Sequence, residues 1–179
     1  MKEVCRCVKT EPALLPLDNE LDISGNVKEK ARADVSGIGV WSTYERTFLD
    51  IKIVHPNAPS HRHKPIDKIY EYAENEKKAA YNERIIQVEK GSFTPIVMST
   101  FGGMGVEAKK FHKRIATLIS EKRNERYSDV MNYLRMRLRF SILRSVLTTV
   151  RGVRGKSKKE TVAPISTLSF NLIENSELD

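Results

Sequence analysis

The sequence is poor in cysteine and in long apolar runs. Cys5 and Cys7 are its two cysteines among 179 residues. Two cysteines do not make a disulfide framework, and a zinc site needs more ligands, so two ordinary thiols are the favoured interpretation. No apolar run approaches the roughly 18 residues of a membrane-spanning helix. The first residues are too polar for a secretory signal peptide, so we expect an intracellular protein with no membrane partner.

Positive charge is what the chain has in excess. It contains 31 lysines and arginines against 23 acidic residues, which gives a net charge of +8. A basic balance favours an anionic partner such as nucleic acid, although solvated lysine faces give the same composition. The length suits one domain, or one domain with tails.

The segment 32–54 predicts a β-hairpin. Residues 33–41 and 47–54 have the β-branched and apolar content of strands, and the polar stretch 42–46 suits the loop between them. A hairpin folded near Ser42 places an aspartate of the first strand opposite an aspartate of the second.

Those aspartates are Asp34 and Asp50. Side chains alternate between the faces of a strand, so Lys52 shares a face with Asp50. Paired carboxylates can hold Mg²⁺, and a lysine beside them can orient water or neutralise phosphate. An acid and a base within an apolar strand cost stability unless they pair or bind something. The spacing alone also fits a structural Asp–Lys pair at a strand edge.

The order of Asp34 and then Asp50-Ile51-Lys52 on the next strand resembles the PD-(D/E)XK, or restriction-like, nuclease superfamily. Ala33 stands where that pattern often has proline. The chain from Val4 to about Arg154 also resembles the C-terminal endonuclease portion of non-LTR retrotransposon polyproteins and related animal proteins. The matching pieces, in order, are residues 8–12, 31–34, 48–57, 74–78, 81–84, 91–95 and 102–105.

This resemblance implies a Mg²⁺-dependent endonuclease that acts on DNA in the nucleus. Asp34 and Asp50 would bind the metal, Lys52 would act on the water, and Glu11 would be a third catalytic acid. A catalytically inactive remnant of the same fold, binding DNA or RNA or serving as an interaction module, is the alternative. The most useful discriminating observation is nicking of a plasmid with Mg²⁺ and with EDTA.

Three further side chains have open interpretations. Pro12 favours extended geometry at Glu11, which is either the third acid or an exposed loop glutamate. Lys78 and Tyr81, one turn apart on the next helix, are candidates to face the metal and nucleic acid, with a charged solvent face as the alternative. Lys77 is expected on the solvent side.

The remaining pattern predicts an α/β fold: a small mixed β-sheet flanked by helices, as in a restriction-endonuclease-like core, with a C-terminal helical extension. The superfamily's first core helix is expected to be lacking, because there is no room for it before Val4. The expected organisation is a core over 1–122, a helix packed on it over 123–151, and a basic then flexible tail over 152–179.

The last predicted helix, over 124–150, has two apolar stripes. Two stripes need two packing partners, so we expect self-association or an absent upstream domain. After this helix comes a basic segment suited to phosphate contacts. Its charges are those of Arg151, Arg154, Lys156, Lys158 and Lys159.

A glycine-rich turn over 102–105 precedes another predicted helix. Such turns can bind phosphate through backbone N–H groups. The lysine and serine or threonine of a Walker motif do not follow at the required spacing, so the segment predicts a tight turn with modest phosphate-binding potential.

Overall fold

The computed structural model describes residues 1–17 and 31–154, except for the side chains of 152–154. Within these ranges the chain forms four strands and three helices. In order they are β1 (Arg6–Thr10), β2 (Val35–Ile38), β3 (Arg46–Val54), α1 (Ile66–Gln87), β4 (Ser92–Ser99), α2 (Val106–Arg123) and α3 (Tyr127–Arg154).

The four strands form one mixed sheet in the order β1-β2-β3-β4. Strand β2 is antiparallel to both of its neighbours, whereas β3 and β4 are parallel. Parallel neighbours need a crossover connection, and α1 supplies it. The predicted fold class, a small mixed sheet flanked by helices, is confirmed.

Helices cover both faces of this sheet. Alternate side chains of β3 and β4 point to α1, on what we call the α1 face, and the others point to α2 and α3, on the α2/α3 face. The α1 face contains two apolar clusters, built from Val54, Ile69, Tyr70, Ala73 and Val97 and from Leu14, Ala33, Phe48 and Ile85. The α2/α3 face contains a third, built from Leu49, Ile96, Met98, Ala108 and Ile142.

The β2–β3 hairpin folds about Ser42, as predicted. The strand pairs run from Val35 with Leu49 to Ile38 with Arg46. Strand β2 is shorter than the predicted 33–41, because the chain turns at a glycine with a positive φ directly after Ile38. This register fixes which residues of β3 face α1.

A buried glutamate joins α1 to α2. The backbone N–H of Glu107, in the first turn of α2, donates to Glu74 Oε1 at 3.0 Å. A carboxylate is favourable there because the first N–H groups of a helix lack partners within it. Gly105 precedes this turn, and a Cβ on it would collide with the Glu74 carboxylate. The glycine is therefore required for close approach of the two helices.

Helix α3 turns one of its two apolar stripes inward and leaves the other exposed. Val130, Met131 and Ile142 are buried, and Leu134 and Leu138 pack beside them. We call the exposed set the α3 stripe, and its members have between 47 and 66% of their surface exposed: Tyr133, Met136, Phe140, Leu143, Leu147 and Val150. No helix in the described ranges is both long enough and apolar enough to cross a membrane.

Candidate catalytic site on the α1 face

Asp50 lies in the middle of β3 and is 5% exposed. Its side chain points to α1, where the Lys77 ammonium lies 2.6 Å from Asp50 Oδ2. Burying a carboxylate is costly unless a cation or hydrogen bonds compensate. Lys77 provides that compensation, so Asp50 and Lys77 form a largely buried ion pair.

Asp34 lies directly before β2, one residue beyond the pair of Val35 and Leu49. Its Oδ2 accepts a hydrogen bond of 2.6 Å from the backbone N–H of Ile51. The side chain therefore reaches the β3 backbone beside Asp50, as the hairpin predicts.

The two carboxylates act on the same groups of α1. The negative charges of Asp50 and Asp34 both raise the pKa of the Lys77 ammonium. They also both raise the pKa of the Tyr81 hydroxyl. Asp34 and Asp50 are thus both close enough to influence the same two side chains of α1.

Lys52 shares the α1 face with Asp50, as strand alternation requires. Its ammonium donates to Glu76 Oε2 at 2.7 Å, and both side chains are partly exposed. This hydrogen bond is the main reason why the pKa of the Glu76 carboxyl is lowered. Lys52 is thus held at the solvent edge of the site, where a lysine can contact an entering phosphate or water.

The structure differs from the sequence prediction at Lys77 and Lys78. Lys77, expected on the solvent side, is the residue that meets Asp50. Lys78, expected to face the metal, instead lies 3.1 Å from Glu107 Oε1 on α2. Successive residues of an α-helix point about 100° apart. Because α1 packs on the sheet rotated by one residue from the expected orientation, Lys77 and Lys78 exchange their directions.

The environment of Lys77 favours its charged form. Burial lowers the pKa of this ammonium, but the hydrogen bond and charge of Asp50 outweigh burial, and the net pKa is raised. The lysine therefore remains a cation throughout the neutral range.

Tyr81 is on the same side of α1, one turn after Lys77. Its ring packs against Phe93 with centroids 5.4 Å apart, and the Lys77 ammonium lies 5.6 Å from its centroid. Burial raises the pKa of its hydroxyl, Asp50 raises it further, and Lys77 partly opposes them. Tyr81 is therefore a neutral hydrogen-bond donor beside the carboxylates, on the side of α1 that the sequence predicted.

Glu11 differs from the extended geometry predicted from Pro12. Its φ is 48°, in the left-handed region. Its backbone N–H donates to the Asp34 carbonyl at 2.8 Å, and its carboxylate lies 3.8 Å from Arg32. The side chain is 76% exposed, which agrees with the loop-glutamate alternative. Its role as a third acid stays a prediction.

The predicted nucleic-acid contacts of the C-terminal segment are only partly within the described residues. Arg151 is an exposed residue of α3, and the backbone of Arg154 ends that helix. Lys156, Lys158 and Lys159 lie outside the described residues. Their role stays a prediction.

The donor set fits a hydrated magnesium ion. Within residues 1–17 and 31–154, no three or more His, Cys, Asp or Glu side chains cluster as metal ligands would. A metal on this face would have Asp34 and Asp50 as its protein ligands and would share Asp50 with Lys77. Mg²⁺ commonly binds through one or two carboxylates and keeps several waters, so two aspartates at a partly open site suffice.

Comparison with known proteins adds no relative. No family model, no curated protein and no solved structure matches the chain. The fold and the site geometry therefore define an α/β protein with a paired-aspartate site.

Removing the cation tests whether Lys77 compensates Asp50. We expect Lys77→Met to lower the free energy of unfolding by about 3 kcal/mol, because it leaves a buried carboxylate unpaired. Urea denaturation measures the loss. The matched control is Lys68→Met, which removes an exposed pair with Glu71 and should change stability little, because solvent screens surface ion pairs.

The contribution of the Lys77–Asp50 ion pair to the free energy of unfolding depends on pH in a definite direction. The pKa of Lys77 is raised in the folded state above the ordinary 10.5. The pair therefore stabilises the fold below that value, and its contribution is lost as the pH rises through the folded-state pKa. Equal losses in Lys77→Met and Lys68→Met at neutral pH would contradict a compensating role for Lys77.

Proposed function

We propose that this chain is a metal-dependent endonuclease domain that acts on DNA. The observation that carries the proposal is the placement of Asp34 beside the buried Asp50, on one face of the sheet and next to Lys52. Asp34 is exposed and Asp50 is buried, so the two aspartates lie where the α1 face opens to solvent. Such a pair is typical of metal-assisted phosphodiester hydrolysis.

Each side chain has a role in this proposal. Asp34 and Asp50 would hold Mg²⁺, which when bound supplies Lewis-acid stabilisation of the charge on phosphate and lowers the pKa of bound water. Lys52, at the open edge, orients the attacking water or neutralises a phosphate oxygen. Tyr81 donates a hydrogen bond close to the carboxylates, and Lys77 limits their mutual repulsion.

The net charge of +8 supports an anionic substrate. Origin from a retrotransposon endonuclease and action in the nucleus are the parts of the proposal that rest on the sequence resemblance.

A plasmid-nicking assay tests the activity. Supercoiled plasmid incubated with the full chain and Mg²⁺ should become nicked or linear, and EDTA should stop the reaction. Cleavage that continues in EDTA would contradict metal dependence. Binding of DNA without any cleavage in Mg²⁺ would favour the second candidate.

That second candidate is a catalytically inactive nucleic-acid-binding domain of the same fold. The observation in its favour is the ion pair of Lys77 with Asp50, since this contact balances the buried charge with protein groups alone. In this case the aspartates are structural, and binding of DNA or RNA is independent of Mg²⁺.

Either candidate predicts a contribution from the basic segment. We expect removal of residues 151–159 to reduce the dependence of DNA affinity on salt, with little change in sequence preference. The deletion removes five positive charges, so the slope of log affinity against log salt should fall by at most about 4.5. Filter binding across a salt series measures the slope.

The matched comparison uses chains that end at residues 159 and 150. Both lack the residues after 159, so the basic segment is the only difference between them. Identical slopes would show that the segment makes no phosphate contacts.

A further inference from the structure

A cavity of about 280 Å³ lies between α2 and α3. Gly102, Gly103 and Met104, in the turn after β4, line one end of it. Ile142, which also lines it, packs against Leu49 on the α2/α3 face of the sheet. This α2–α3 cavity is therefore on the opposite side of the sheet from Asp50, and the proposed nuclease site does not use it.

Four cationic side chains line the cavity: Lys109 and Lys113 from α2, and Arg135 and Arg139 from α3. Each pair is spaced by one helical turn, so each helix contributes one row of two cations. No acidic residue is among the residues that line the cavity.

These cations differ from their neighbours in having no acidic partner. In the part of the chain that the structure describes, none of the four forms an ion pair, whereas Lys110 on the same helix lies 3.4 Å from Glu107 Oε1. All four side chains are exposed, so solvent screens much of their mutual repulsion. They would still attract an anion, because no acidic residue of the lining balances their charge.

The wall of the cavity holds a polar atom that also lacks a partner. His112 Nε2 is buried, and no group within the described ranges hydrogen-bonds to it. Burial, followed by the charge of Arg135, lowers the pKa of this imidazole, and a hydrogen bond with the Leu134 backbone partly opposes them. A buried ring nitrogen without a hydrogen bond costs free energy, and a ligand oxygen could satisfy it.

The rest of the lining is apolar. Met131, Leu138 and Ile142 complete the cavity. Small-molecule sites typically combine such an apolar lining with a few convergent polar groups, in volumes from roughly 300 Å³ upward. The cavity is thus near the lower limit and suits a compact ligand.

We propose that the α2–α3 cavity binds the phosphate group of a small phosphomonoester. Arginine forks and lysine ammonium groups are the side chains that recognise phosphate oxygens, and two of each converge here. A phosphate dianion balances four cations better than a carboxylate does. The apolar lining then accommodates a compact organic body attached to the phosphate.

The shape of the site favours a small ligand over a nucleic-acid strand. Non-specific binding of a strand uses a positively charged groove that follows the backbone, with aromatic side chains that stack on bases. The cations here converge on one concave cavity, whose lining contains no Phe, Tyr or Trp.

Calorimetry on the full chain tests the proposal with defined probes. Phenyl phosphate is the phosphomonoester, inorganic phosphate is the free anion, and phenol is the uncharged body. We expect phenyl phosphate to bind more tightly than inorganic phosphate, and phenol not to bind measurably. A short single-stranded oligonucleotide without terminal phosphates, added as a competitor, should not displace phenyl phosphate.

Two variants locate the binding site. Arg139→Gln should weaken phenyl phosphate binding by about tenfold or more, because it removes a charge-assisted hydrogen bond to phosphate. Arg137→Gln is the matched control, since it removes the same charge from the same helix at a residue that contacts Tyr133 and does not line the cavity. In an NMR spectrum of the histidine ring nitrogens, phenyl phosphate should shift the resonance of His112 Nε2.

The following results would overturn the proposal that the cavity binds a small phosphomonoester. The absence of any binding of phenyl phosphate, or equal binding of phenol, would overturn recognition of phosphate. Equal losses in Arg139→Gln and Arg137→Gln would show that only overall charge matters. Displacement of phenyl phosphate by the oligonucleotide would assign the cavity to a nucleic-acid strand and reject a small ligand. None of these measurements depends on DNA cleavage.

Discussion

Asp50→Asn is expected to reduce DNA cleavage at least about a hundredfold while leaving DNA affinity nearly unchanged. The substitution keeps the size of the side chain but removes the charge that would bind the metal. Asp34→Asn should behave in the same way. The nicking assay measures cleavage, and filter binding measures affinity. A variant that cuts as fast as the parent would show that Asp50 binds no catalytic metal.

The ion pair with Lys77 requires a stability control for this experiment. Asp50→Asn leaves a largely buried ammonium group without its counter-ion, so the variant should also unfold more easily. Adding Lys77→Met removes the unpaired cation and should recover part of the lost stability. If cleavage returns together with stability, the single variant was inactive because it was unfolded and not because it lost a metal ligand.

Asp67→Asn is the matched control for the loss of charge. Asp67 is an exposed residue in the first turn of α1. Its substitution removes the same charge from the protein and should leave cleavage unchanged. A similar loss of cleavage in Asp67→Asn would indicate a general effect of net charge.

Self-association of the isolated chain is the second large expected effect. The α3 stripe presents six exposed apolar side chains along one helix. Exposed apolar patches of several hundred Å² promote association. The sedimentation coefficient should therefore rise with protein concentration. A compact monomer at every concentration would contradict the expectation.

Substitutions within the stripe test this directly. Phe140→Gln combined with Leu147→Gln should shift the protein toward monomer, because both side chains are about half exposed or more. Ser141→Gln is the control, since it adds a glutamine on the same helix outside the stripe. If the double variant sediments like the parent, association uses another surface.

The sheet itself contributes little to association, because α1 covers one of its faces and α2 and α3 cover the other. Only Ile51 and Ile53 of β3 are large apolar residues left roughly half exposed. Among the described residues, the α3 stripe is the largest set of exposed apolar side chains on one helix. Addition of upstream sequence should reduce association only if that sequence covers α3.

The hairpin could be predicted because its signals are local. Strand alternation and one polar loop near Ser42 determine which aspartates are opposite each other. The side of α1 that packs on the sheet could not be predicted. Lys77 and Lys78 are neighbours in the sequence, and only the packing of α1 against β3 determines which of them meets Asp50. Likewise, two apolar stripes on α3 were evident, but the sequence did not indicate which one would meet the sheet.

The α2–α3 cavity could not be predicted for a similar reason. Lys109 and Arg135 are on different helices, and their convergence depends on how those helices pack. One relevant signal was visible in the sequence, the glycine turn with modest phosphate-binding potential, and part of that turn lines the cavity. The turn lines the cavity because of the way in which α2 and α3 pack, and not because it forms a Walker-type motif.

The crossover through α1 has a consequence for the order of events during folding. The β2–β3 hairpin joins residues close in sequence, whereas the pairing of β3 with β4 must close a long loop, so the hairpin should form first. Lys77 reaches Asp50 only when α1 docks on the sheet. In pulse-labelling hydrogen exchange during refolding, amides of the hairpin should therefore gain protection before those of β4. Until α1 docks, Asp50 has no ion pair with Lys77, so the site on the α1 face is one of the last features to form.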